Sequence, residues 1–293
     1  MIRHRLPMLL IAGTLAAAVA GCGGGAGPGT EQGEPPVSRL EPVTDLKQLV
    51  LPLNSYVPTQ AEAAELAKAR NALFRKCMQR FGFEIAEPPL LPPPFAENER
   101  RYGLVDEERA RRLGYDTPEL DGRTRPAEPE LPPGARAVAE GSGERTVAGK
   151  QVPAEGCHGE ARRKLAEGAA GADDRLVPRL DDEAGDLAER DSRVRKAFGE
   201  WSACMKRAGF DYAGPWQAHD NPEFADGVTG EREIATAVAD TRCKRETTLI
   251  GTWFSVEVAY QERLAGNHAE ELERVKSSLR TMLGNASRVL GSP

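Results

Sequence analysis

Two stretches of this chain share one pattern: Cys77-Met78-Gln79-Arg80-Phe81-Gly82-Phe83 and Cys204-Met205-Lys206-Arg207-Ala208-Gly209-Phe210. The likeness extends outward to an aromatic residue three before the cysteine (Phe74, Trp201). On the far side lie an acid (Glu84, Asp211), an alanine (Ala86, Ala213) and a proline (Pro88, Pro215). Ahead of each run, apolar residues recur at helical spacing. They are Leu66, Leu73, Cys77 and Phe81 in the first copy, and Val194, Phe198, Trp201, Cys204 and Met205 in the second. Thr59 and Asp191 or Ser192 are placed to cap these helices, and Gly82 and Gly209 to stop them. The reading is a mainly α fold, built from disulfide-stapled helical units with long Pro/Gly-rich irregular segments.

The N-terminus points to export. Arg3 and Arg5 precede an apolar run from Met8 to Ala20, too short to span a bilayer and the right length for a signal peptide. It ends Val19-Ala20-Gly21-Cys22, which resembles the lipobox of bacterial lipoproteins. Small residues there suit a signal peptidase, and the Cys22 thiol is the group that takes up lipid. Residues 1–21 are therefore expected to be a lipoprotein signal peptide, with Cys22 as the lipidation site. Residues 22–45 are glycine-rich, polar and proline-containing, and are expected to be a flexible tether with a reach of roughly 25 Å. The expected location is the extracytoplasmic face of the cell membrane.

The formal net charge is −6, and loss of Arg3 and Arg5 with the signal peptide takes it to −8. An acidic chain with no Lys/Arg block excludes nucleic acid as a partner, and a polybasic membrane-surface role with it. The membrane contact expected is the N-terminal lipid alone.

Five cysteines become four once Cys22 is set aside, and in an exported chain four read as two disulfides. Cys157 and Cys243 share surroundings, with valine five before (Val152, Val238) and glutamate three after (Glu160, Glu246). The repeat favours Cys77–Cys157 and Cys204–Cys243; Cys77–Cys204 with Cys157–Cys243 stays open. The favoured pairing closes separations of 80 and 39 residues, worth roughly 4 kcal/mol each on the chain-entropy model.

Between the cysteines, Pro88-Pro89, Pro92-Pro93-Pro94 and Pro132-Pro133 interrupt regular structure. One island, Tyr102 to Tyr115, holds a short helix of about two turns, best read as a clip over the main helices. Residues 121–148 read as a mobile loop. Asp181 to Asp191 reads as a solvated helix face. Asp211 to Phe224 is a loop carrying Trp216, His219 and Asp220, a possible ligand loop in which a sugar or peptide could stack on the indole. The longest helix is expected over 231–264, broken by Gly266-Asn267, with a final amphipathic helix over 268–290. The expected domain organisation is a first Cys-Met unit at 46–175 with a Pro-rich insertion, and a second at 176–293.

Catalytic signatures such as Gly-x-Ser-x-Gly, Ser-x-x-Lys and His-Glu-x-x-His do not occur, and no catalytic, cofactor-binding or metal residue is assigned. Met78 and Met205 could suit Cu(I), but gap-filling beside a disulfide explains both. Asp173-Asp174 and Asp181-Asp182-Glu183 lack the alternating ligands of a calcium loop.

The chain resembles uncharacterised exported and lipid-anchored proteins of high-GC Gram-positive bacteria. The likeness rests on the repeated Cys-Met-x-x-x-Gly-Phe run and on Tyr102-Gly103 with Gly114-Tyr115. It also includes Val152-Pro153 leading to Gly156-Cys157, and Cys243 through Thr247 to Trp253. The resemblance implies the same disulfide framework and location, and no activity or cofactor. The function expected is a non-enzymatic binding or accessory protein of the cell envelope, with an envelope protein or small ligand as partner. The alternatives are an envelope hydrolase with an unrecognised site and a structural spacer.

Overall fold

In a computed structural model, the residues described are 33–37, 40, 43, 45, 49–89, 91, 93–118, 130–169, 171–224 and 229–291. The expected signal peptide, Cys22 and most of the expected tether lie outside the described residues. So do residues 121–129 of the expected loop.

The chain forms α1 (Gln60–Arg80), α2 (Glu107–Leu113), α3 (Ala135–Glu140), a hairpin of β1 (Thr146–Val147) and β2 (Lys150–Gln151), and α4 (Gly156–Leu165). It continues through α5 (Leu176–Arg190), α6 (Ser192–Arg207), α7 (Pro215–His219), α8 (Glu231–Glu246), α9 (Leu249–Asn267) and α10 (Ala269–Gly291). The protein is mainly helical, as expected.

The two Cys-Met helices end alike. Thr59 Oγ1 accepts from the Glu62 amide at the start of α1, and Asp191 accepts from the Arg193 amide at the start of α6. At the other end Gly82 and Gly209 take φ of +84° and +93°. The amides of Phe83 and Phe210 then reach back to the carbonyls of Met78 and Met205. A side chain at either glycine would strain this turn, which is why glycine stands there. Both expected disulfides form, Cys77–Cys157 and Cys204–Cys243, each with Cα atoms 5.6 Å apart. Beside each, the arginine three after the first cysteine pairs with the glutamate three after the second: Arg80 with Glu160, Arg207 with Glu246.

Two local expectations change. Residues 130–148 are not loop throughout, because α3 buries Ala135, Val138 and Ala139 against Phe74, Met78 and the first disulfide. Its exit lies against the start of α4: a Cβ on Gly141 would come within 2.5 Å of the Gly156 nitrogen, so this contact requires glycine. The helix expected over 231–264 is two helices. Thr247 returns its hydroxyl to the Cys243 carbonyl, and Thr248 turns the chain at φ +50°. Short polar side chains that bond their own backbone favour ends over interiors, and Thr247 makes such a bond where α8 ends.

The expected helix at 268–290 is α10, which lies along α1 and α4 and so returns the end of the chain to the first Cys-Met helix. Asn285 of α10 donates to the carbonyls of Leu165 and Glu167. In the other direction, the Tyr102–Tyr115 island packs on α8 and α9, the role of a clip. The largest apolar cluster joins α5 (Leu176, Val177, Leu180) to α9 (Trp253, Val256, Tyr260, Leu264).

Candidate functional site

The start of the island and the residue before it bring Tyr102 and Arg101 against the middle of α9. Arg101 reaches Asp181 with two bonds of 2.9 Å and Glu257 with one of 2.6 Å. Tyr102 donates its hydroxyl to Glu257 at 2.8 Å, and Gln261 donates to Asp181 at 2.8 Å. Glu257 is 1% exposed. Burial works against the Arg101 charge, but its bonds to both carboxylates hold its pKa above the ordinary value. Burial, reinforced by Glu257, pushes the Tyr102 hydroxyl well up.

A second buried network lies on α8. Lys244 bonds Asp240 at 3.0 Å and the Leu104 carbonyl at 2.9 Å. Trp201 of α6 donates to the same Asp240 at 3.0 Å, and the Tyr115 hydroxyl at 3.3 Å. The Tyr115 amide is taken by Glu233 at 2.8 Å. These charges hold the clip in register on α6 and α8. Sequence reading passed over them, although a signal existed: Asp240 and Lys244 stand one turn apart among the apolar positions of α8.

The expected ligand loop is α7 and its exit. Trp216 is half-buried, donates to Glu189 at 2.8 Å, and meets the Trp253 ring edge-on at 5.8 Å. His219 sits between Asp220, 2.7 Å from its Nδ1, and Arg100, 3.4 Å from its Nε2. Asp220 is exposed. Trp216 and His219 therefore belong to an aromatic belt with Tyr115, Tyr102 and Trp253, whose last three members are almost wholly buried. Tyr102 and Trp253 of the belt reach a shallow pocket of about 360 Å³, floored by them and Glu257 and rimmed by Asp182 and Asp186.

Met78 and Met205 are fully buried beside their disulfides, where they fill space. Asp173 is spent on Arg179 and the Arg175 amide, and Asp181 on Arg101. Among the described residues no group of three or more His, Cys, Asp or Glu is placed to hold a metal ion, and no helix is long and apolar enough to cross a membrane.

A cleft of about 1050 Å³ runs along the first half of α1. One wall is Ala61, Ala64 and Lys68; the other is Pro93, Pro94 and Phe95. Gln60 ties the walls together by donating to the Phe95 carbonyl at 3.2 Å. The guanidinium groups of Arg100 and Arg109 each lie 5.3 Å from the centre of the Phe95 ring. This arrangement presents apolar surface in a fixed concave form, which suits ligand capture. No protein-family model matches the chain, and comparison with curated proteins and with solved structures returned no match.

Proposed function

We propose that this chain is a lipid-anchored binding or accessory protein of the cell envelope, held at the outer face of the cytoplasmic membrane through Cys22. The observation that carries the binding role is the apolar cleft along α1, of ligand-sized volume and braced by ordered side chains on both walls. The anchoring half rests on sequence: the charged start, the short apolar run and Val19-Ala20-Gly21-Cys22. Two disulfides agree with an oxidising compartment. The resemblance to exported proteins of high-GC Gram-positive bacteria belongs to the same reading.

The cleft is testable with a neutral solvatochromic dye such as Nile red, added to the oxidised full chain. Saturable binding should be abolished by Ala64→Trp, which fills the cleft from an exposed position. Absence of dye binding, or binding that Ala64→Trp leaves unchanged, would remove the cleft as the ligand site.

A further inference from the structure

Next to that cleft, bordering it at Pro58, Ala63 and Ala67, a second cavity of about 540 Å³ opens between α1, α4 and α10. Its polar lining is Arg70, Asn71, His158 and Arg162, and among the described residues no Asp or Glu lines it. That stands out in a chain with 45 acidic and 39 basic residues. Phe74 and Met282 contribute apolar wall. Arg162 pairs with Glu155, whereas exposed Arg70 has no ion-pair partner among the described residues. The His158 ring lies flat on Phe74, with ring centres 4.2 Å apart and planes 9° from parallel.

The repeat indicates what such a seat takes. Arg70 and Phe74 stand seven and three residues before the first cysteine, where the second copy has Ala197 and Trp201. His158 follows the second cysteine, where the other copy has Lys244. In the second copy the Leu104 carbonyl meets Lys244 Nζ at 2.9 Å. The Leu104 side chain, 2% exposed, lies in one apolar cluster with Ala197 and Trp201. An oxygen acceptor joined to an apolar body thus fills the seat beside Lys244. In the first copy the residues at the corresponding positions, Arg70, Phe74 and His158, line the cavity, and an arginine stands where the second copy has Ala197.

We propose that the cavity between α1, α4 and α10 binds an organic anion with an apolar body. Its carboxylate or phosphate lies against Arg70 and Arg162, and its body against Phe74 and Met282. The site adjoins the apolar cleft but has its own polar lining in Arg70, Asn71, His158 and Arg162, so either assignment can fail without the other.

The chain has five methionines, and of the described ones, Met78, Met205 and Met282, Met282 lines the cavity. Methyl-labelled methionine in the oxidised full chain therefore gives a local reporter, with Met78 and Met205 as internal controls. Titration with phenylbutyrate or phenyl phosphate should shift the Met282 resonance saturably and leave Met78 and Met205 unmoved. The two probes separate a carboxylate ligand from a phosphate one, and either result supports the site. The neutral amide of phenylbutyrate, phenethylammonium and inorganic phosphate alone should each bind far more weakly. Arg70→Gln, at an exposed position, should weaken the anion by roughly tenfold or more through loss of one charge-assisted contact. Equal binding of amide or amine, an Arg70→Gln variant with unchanged affinity, or no Met282 shift at millimolar probe would overturn the proposal.

Discussion

Lys244 and Asp240, one helical turn apart on α8, meet at 3.0 Å with side chains 2% and 0% exposed. Burial alone pushes the Asp240 carboxyl up and the Lys244 ammonium down, and each charge opposes the shift of the other. Trp201, Tyr115 and the Leu104 carbonyl complete the shell. Removing one member leaves the other buried without its counter-charge. Lys244→Met should cost about 3–5 kcal/mol in urea unfolding. Trp201→Phe, which substitutes an aromatic ring without the N–H, should cost about 1–3 kcal/mol by leaving one Asp240 bond unmade. A loss below about 1 kcal/mol for Lys244→Met would mean the network contributes little.

The disulfides close separations of 80 and 39 residues and tie α1 to α4 and α6 to α8. Paired Cys→Ser replacement at either bridge should lower unfolding free energy by about 2–5 kcal/mol. The longer loop should give the larger loss where native geometry is equally relaxed. Non-reducing peptide mapping should recover Cys77 with Cys157 and Cys204 with Cys243; a Cys77–Cys204 peptide would contradict the framework.

Gly82 and Gly209 hold positive φ with nothing within 4 Å of an added Cβ. Their substitution therefore tests backbone conformation without a steric clash. Gly82→Ala and Gly209→Ala should each destabilise by about 1–2 kcal/mol. Asn, which tolerates the left-handed region better, should restore part of the loss. Equal effects of Ala and Asn would point to some cause other than the turn.

Acidification should destabilise the fold in two stages. At His158, burial and then the Arg70 charge lower the pKa from the ordinary 6.5. The unfolded chain therefore takes up that proton first, and stability falls as pH drops below about 6.5. At Glu160, burial raises the carboxyl, but hydrogen bonds and charge from Lys164 and Arg80 outweigh it and leave the pKa below 4.5. Its contribution is full above 4.5 and is lost as pH falls through the folded value. Tm measured across this range should decline with acid, and Glu160→Gln should flatten the lower stage. A Tm rising between pH 6.5 and pH 5 would refute the sign for His158.

For the anchor, Cys22→Ala should abolish incorporation of labelled fatty acid and move the chain from the membrane pellet to the soluble or secreted fraction. Unchanged fractionation would remove Cys22 as the attachment point.

The amino-acid sequence alone determined the parts that depend on neighbours. The apolar spacing of α1 and α6, the Thr59 and Asp191 caps and the stops at Gly82 and Gly209 are short-range effects, written within a few residues of where they act. The cysteine pairing was legible because the repeat carried matching surroundings at Cys157 and Cys243. Trp216, His219 and Asp220 were legible as a group, but only the fold shows that Trp216 and His219 pack into the aromatic belt.

Tertiary structure alone decided the rest. Arg101 meets Glu257 across 156 residues, and Lys244 meets Leu104 across 140. No local pattern specifies partners at such distances. The six-residue α3 is too short to be stable alone and exists because the first disulfide and Phe74 offer it a buried face. The same holds for the cavity beside His158: its cations come from α1 and α4, and α10 supplies Met282. Local sequence sets where the longer helices start and stop, and packing energy between distant segments sets which side chains face one another and holds the shortest helix.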